Sequence, residues 1–241
     1  MKSCIKILGT GSAGNCALVY DSRGKCIILD LGLSWEEVQK GLDYDVSCIS
    51  AILCSHNHVK DHTRSIKEAI LRSFPVYGNN DICSNYNGCN ELKMGYALKI
   101  DGWKVQTFEL VHNVPCNAFI VDTFDGIRIL YCTDTVYIPK VVKNVNYAII
   151  ECNHDDEYML DNMLDGKFSA SRPEHHQDIS DCIEYLKRIY NPNLQCVVLW
   201  HMSDSNICEK DAVQRVKNEL SFSNVVAASK GLKIELNKEE F

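Results

Sequence analysis

Apolar residues in the first third of the chain fall in short runs: Cys4–Leu8, Asn15–Tyr20 and Cys26–Leu31. Their richness in Ile, Leu, Val and Tyr predicts strands, and Asp21-Ser22-Arg23-Gly24 between the last two is a good turn sequence. Ser34, with Glu37 three residues on, predicts a capping box and a helix running toward Leu42. Ala51–Cys54 is a short apolar strand, followed by a helix over Ser65–Arg72. Further strands are expected at Trp103–Glu109, Ala118–Asp122, Ile127–Cys132 and Tyr147–Cys152, with Asp125-Gly126 as a hairpin turn. Helical spacing over Ile179–Tyr190 and Lys210–Leu220 brackets one more strand, Cys196–Trp200. This order predicts an α/β protein in which two packed mixed sheets carry helices on their outer faces.

Hydrophobic residues make up 46% and charged residues 24% of the 241 positions, the balance of a soluble globular chain. No linker, repeat or low-complexity tract divides it, so residues 1–241 are expected to form a single domain. No apolar run reaches the roughly 20 residues of a membrane span, and the start carries no secretory signal pattern, so a cytoplasmic location is expected. Thirteen cysteines, an odd number without a C-x-x-C pair, sit largely inside apolar runs and read as buried free thiols. The net charge of −7 argues against a protein that coats nucleic acid, but not against a nuclease whose acidic ligands are offset by cations.

Gly9-Thr10-Gly11-Ser12-Ala13-Gly14 has the letters of a dinucleotide-binding fingerprint, and Asp30 stands near the place of its ribose-binding acid. The context contradicts that reading. Cys16–Tyr20 is extended where the fingerprint needs a helix, and Asp30 ends the third strand of a meander. A tight loop bringing backbone close to an active site is the better expectation.

Ser55-His56-Asn57-His58-Val59-Lys60-Asp61-His62 carries the chemistry. Several adjacent imidazoles are costly to desolvate and repel one another when protonated, whereas divalent metal ions resolve both problems. In extended chain, His56 and His58 face one side and can share an ion, with Asp61 and His62 facing a second. His112, Asp134 and His201 each follow an apolar strand and extend the ligand set along one sheet edge.

These segments, with Gly9–Asn15, Thr133-Asp134-Thr135, Ile150–Asp155 and His201-Met202-Ser203 with Asn206, resemble the metallo-β-lactamase superfamily. Within it they are similar to the YycJ/WalJ-like branch of bacteria and phages. The likeness runs from Lys6 to about Cys208. It implies an αββα sandwich with two divalent ions, zinc or manganese, at one sheet edge. His56, His58 and His112 would hold the first ion; Asp61, His62 and His201 would hold the second; Asp134 would bridge them. Asp30 would orient ligands from behind. Two departures stand out. Val59 and Lys60 both intervene where the family has one residue, and His175-His176-Gln177-Asp178 replaces a Gly-His-Leu-Ser-Asn segment.

The resulting expectation is a metal-dependent phosphodiesterase, a DNA exonuclease by resemblance, acting on nucleic acid or a nucleotide. Asp61 would orient or deprotonate the attacking water, and His176 would contact phosphate or protonate the leaving group. Arg172, Ser203 and Asn206 would bind substrate. A cyclic nucleotide, a non-phosphate ester or thioester, and a non-catalytic binding role are the alternatives.

Overall fold

The computed structural model describes residues 2–59, 62–165 and 173–237. In chain order its strands are β1 (Cys4–Gly9), β2 (Cys16–Tyr20), β3 (Cys26–Leu29), β4 (Ile49–Leu53), β5 (Val76–Gly78), β6 (Asn90–Glu91) and β7 (Ala97–Ile100). There follow β8 (Trp103–Leu110), β9 (Cys116–Asp122), β10 (Arg128–Cys132), β11 (Tyr147–Glu151), β12 (Cys196–Trp200), β13 (Val225–Ala227) and β14 (Lys233–Glu235). The helices are α1 (Trp35–Gly41), α2 (Ile66–Leu71), α3 (Asn80–Asn85), α4 (Asp156–Leu164), α5 (Ile179–Ile189) and α6 (Glu209–Leu220).

Two seven-stranded mixed sheets result, ordered β14-β1-β2-β3-β4-β5-β6 and β13-β12-β11-β10-β9-β8-β7. Period-two alternation sends successive residues to opposite faces, and in the inner strands both faces are covered, so these strands are buried throughout. In β3, Ile27 and Leu29 enter the core between the sheets, while Cys26 and Ile28 lie under the outer helices. In β10, Ile129 and Tyr131 face the other sheet, and Leu130 and Cys132 face α5 and α6. The same rule puts most cysteines on outer strand faces, where all act as free thiols.

The expected caps are present. Ser34 Oγ accepts from Glu37 N at 3.4 Å while Glu37 Oε2 accepts from Ser34 N at 3.2 Å. Asp178 accepts from Ser180 N at 2.6 Å and starts α5. Ile179, Cys182, Ile183, Leu186 and Ile189 then form its buried stripe. Burial of each such Ile or Leu is worth roughly 2 kcal/mol, so this stripe and not helix propensity holds α5 to the sheet. The strand and helix bounds shift by only a residue or two from the sequence pattern, but α3, α4, β5–β7, β13 and β14 had not been expected. Among the described residues, no helix is long and apolar enough to cross a membrane.

Candidate metal centre

Three strands hand over to left-handed residues at one end of the sandwich: Asp30 (φ 56°) after β3, Asp134 (φ 50°) after β10 and His201 (φ 53°) after β12. That region costs a residue with a Cβ about 1 kcal/mol or more, and Asp, Asn and His enter it most readily. Backbone strain at these positions accompanies side chains that all join one buried cluster.

Asp30 organises its first-sheet side. Its Oδ1 accepts from Ser55 N at 2.7 Å, and its Oδ2 accepts from Ser55 Oγ at 3.0 Å and from the Tyr131 hydroxyl at 2.7 Å. The same Oδ2 lies 2.8 Å from His62 Nδ1. The opposite nitrogen of His62, Nε2, is 3.0 Å from Asp134 Oδ2. Burial opposes a charge on His62, but Asp30 and Asp134 together raise it to about 10. Asn15 also reaches this nitrogen, with Nδ2 at 2.9 Å, and its own Oδ1 accepts from Gly11 N at 3.0 Å.

The glycine loop therefore leans on the cluster and leads into β2, not into a helix. Gly14, at φ 130°, could not carry a side chain, since a Cβ there would lie 2.5 Å from Gly32 O. Thr10 Oγ1 accepts from His201 N at 3.0 Å, which joins the loop to the second sheet's end.

At His56, His112 and His201 a protein partner takes Nδ1, and Nε2 turns into the cluster. His56 Nδ1 meets Ser55 Oγ at 3.0 Å, and its Nε2 lies 3.0 Å from His58 Nδ1. His112 Nδ1 donates to the carbonyl of His175 at 3.0 Å, leaving a buried Nε2 without a hydrogen-bond partner. His201 Nδ1 meets Glu151 Oε1 at 3.1 Å, and its Nε2 is likewise buried without a hydrogen bond, 3.8 Å from Asp134 Oδ1. Burial, and next the charge of His62, hold His56 well below the usual imidazole range; burial also lowers His112. Burial would raise Asp134, but His201 and His62 outweigh it and hold the carboxylate well below its usual range. His56 and His112, kept neutral by burial, and the ionised Asp134 are donors of the kind that a divalent cation requires. Orphaned buried nitrogens cost about 1–3 kcal/mol each, a penalty that coordination would remove. The residues present fit the metal.

Two donor groups meet at Asp134. His56, His58, His112 and Asp134 offer atoms within 4.8 Å of one another, as do Asp134, Glu151, His176 and His201. The first group contains the residues expected for the first ion. The second differs from expectation: Glu151 and His176 stand with Asp134 and His201, while His62 is placed between Asp30 and Asp134. Asp61, expected as a ligand and as the residue acting on water, lies outside the described residues, as does Arg172.

Glu151 is the residue that sequence reasoning had left without a role. Fully buried at the end of β11, it accepts from Thr135 N through Oε2 at 2.5 Å and meets His176 Nδ1 through Oε1 at 2.7 Å. Burial lowers His176, but its bond to Glu151 prevails and the net shift is upward. A signal existed: an acid closing an apolar strand, as Asp30 and Asp134 do nearby. Ser203 is half-buried, and its N–H donates to Asn153 O at 2.9 Å. Asn206, expected to touch substrate, is fully buried and its carbonyl accepts from Asp155 N at 3.0 Å.

No family model matches the chain, and no curated protein matches its sequence. Solved structures do. YhfI from Bacillus subtilis, a metallo-β-lactamase fold protein, aligns with a TM-score of 0.74 at 17% identity, over 98% of this chain and 100% of that one. Zinc-bound PqqB from Methylobacterium extorquens aligns at 0.73 and 13% identity, over 97% of this chain and 100% of its own. The short form of human tRNase Z gives 0.64 at 16% identity, over 98% and 100%. The chain thus has the four-layer αββα architecture of the metallo-β-lactamase fold.

Proposed function

We propose that this protein is a metal-dependent hydrolase that cleaves phosphodiesters, with a DNA strand as the leading substrate. His56, His58, His112 and Asp134 would hold one divalent ion. Asp134 and His201 would hold a second together with Asp61 and with His62, which must first give up the proton that Asp30 and Asp134 favour. When bound, such ions supply Lewis acidity toward a phosphoryl oxygen and lower the pKa of a coordinated water.

The observation that carries the hydrolase reading is the Glu151–His176 pair set against this donor cluster. Glu151 fixes the His176 ring through Nδ1 at 2.7 Å and favours its protonated form. His176 remains partly exposed, with its ring centroid 5.2 Å from that of His201. A protonated imidazole at the rim of the cluster is positioned to give a proton to a departing alkoxide. Its negative partner is anchored by a backbone N–H, so the pair needs no rearrangement. The likeness to tRNase Z, an RNA-processing enzyme by name, supports a phosphodiester as the bond attacked.

One observation favours a second reading. A groove of about 440 Å³, one wall of which is Cys116 with its sulfur 3.6 Å from His56 Nδ1, is also lined by Asp81, Glu91 and Glu109, with Lys93 as its basic residue. Carboxylates there disfavour a long polyanion and suit a small nucleotide, such as a cyclic one. Hydrolysis should be measured with added Mn²⁺ or Zn²⁺ on single-stranded DNA, RNA, a cyclic dinucleotide and simple aryl esters. Cleavage of DNA supports the leading reading, and cleavage of the cyclic dinucleotide alone supports the second. Turnover of esters alone overturns both.

A further inference from the structure

Ten of the thirteen cysteines are buried; Cys83, Cys89 and Cys208 are half-exposed. Cys83 lies on α3, and Cys89 precedes β6, one short turn away in the sequence. Their sulfur atoms are 2.9 Å apart and share a hydrogen bond. Buried thiols also face each other at Cys26–Cys48 and Cys152–Cys182, but those pairs lie beneath the outer helices.

We propose that Cys83 and Cys89 are a modification site at which an oxidant closes a disulfide across the α3–β6 turn. With a peroxide, one thiolate attacks the peroxide oxygen to give a sulfenic acid and release water or alcohol. The second sulfur then displaces hydroxide from the sulfenic sulfur, so two thiols lose two protons and two electrons. With a small-molecule disulfide, the same bond forms by two exchanges that release two equivalents of thiol.

Contact distance makes ring closure local, and partial exposure admits a small oxidant. Burial raises both thiols, and their mutual hydrogen bond lowers Cys83 and raises Cys89, so the contact distance and not thiol acidity favours this pair. The turn is tied to the metal-bearing segment. Tyr86, inside it, meets Thr63 Oγ1 at 3.2 Å, next to His62. Asn79, which caps α3, donates to Ser55 O at 3.3 Å and Pro115 O at 2.7 Å. Closing the ring removes freedom from this buttress in both folded and unfolded chains, the unfolded losing more.

The test is oxidation of the folded full chain with hydrogen peroxide or glutathione disulfide, followed by alkylation and tryptic mass analysis. Both cysteines fall in the peptide Ser73–Lys93. The expected result is that this peptide loses two hydrogens and resists alkylation, while peptides with the buried cysteines remain alkylatable after unfolding. Thermal unfolding should rise by several degrees on oxidation, a shift absent from Cys83→Ser and Cys89→Ser. Full alkylation of both sulfurs after oxidation, or a disulfide first forming at Cys26–Cys48 or Cys152–Cys182, would overturn the proposal. So would a stable glutathione adduct on Cys83 in the wild-type chain.

Discussion

The Tyr131 hydroxyl donates to Asp30 Oδ2 at 2.7 Å, and this bond crosses from the second sheet to the first beneath the histidine–carboxylate cluster. Both residues are fully buried. Tyr131→Phe keeps the ring and removes the donor, leaving Asp30 with Ser55 and His62. Unfolding free energy should fall by about 1–2 kcal/mol, read from urea titration of the metal-free protein. An unchanged midpoint would show that the bond contributes nothing to joining the sheets.

Asp134 is shared by both donor groups, whereas His58 belongs to one. After dialysis and elemental analysis, Asp134→Asn should retain less than half the metal of the wild type. His58→Ala should lose about one equivalent and keep the other, since a missing ligand commonly weakens a site without abolishing its neighbour. Equal losses in the two variants would argue that the sites do not meet at Asp134.

His176→Ala should lower turnover of the cleaved substrate by about 10² or more, the usual contribution of a proton-donating side chain. Metal content of the His56–His58–His112 group should stay at the wild-type level. Loss of metal in proportion to activity would instead make His176 a ligand.

Asp125 supplies a pH-dependent prediction away from the metal ligands. Partial burial raises its carboxyl, but bonds from Ser22 and Ser3 and the charge of Arg23 outweigh this, so the folded-state pKa is lowered. A lowered carboxylate contributes stability that is whole above the unfolded value of about 4 and is lost as pH falls through the folded value. The urea midpoint of Asp125→Asn should therefore lie below that of the wild type at pH 6, with the gap narrowing toward pH 3.5. A gap independent of pH would point to shape and not charge.

Much of this fold was legible because strand alternation and helix caps are local. Ile27 and Ile28 are adjacent in sequence and on opposite faces of the sheet, as period two requires. His56 and His58 converge as expected, although their segment forms no ladder with a neighbouring strand. What escaped has long-range causes. Short edge strands such as β14 exist because β1 offers a partner from the far end of the chain, a pairing no local pattern announces. Glu151 closes an apolar strand, yet its role depends on His176 and His201, 25 and 50 residues away. Asn15 looked like the edge of a strand, and only the fold brings it to His62.

The distribution of the ligands has a mechanical consequence. His56, His58 and His62 come from the first sheet's side, and His112, Asp134 and His201 from the second's. At the opposite end of the sandwich, Asp125 on the β9–β10 turn accepts from Ser3 Oγ at 2.7 Å and from Ser22 N at 3.0 Å, both on the first-sheet side. Both ends of the sandwich are thus pinned by protein groups alone, by Asp125 at one and by Tyr131–Asp30 and Thr10–His201 at the other. The donor atoms carried by the two sheets are therefore held in register before any cation arrives.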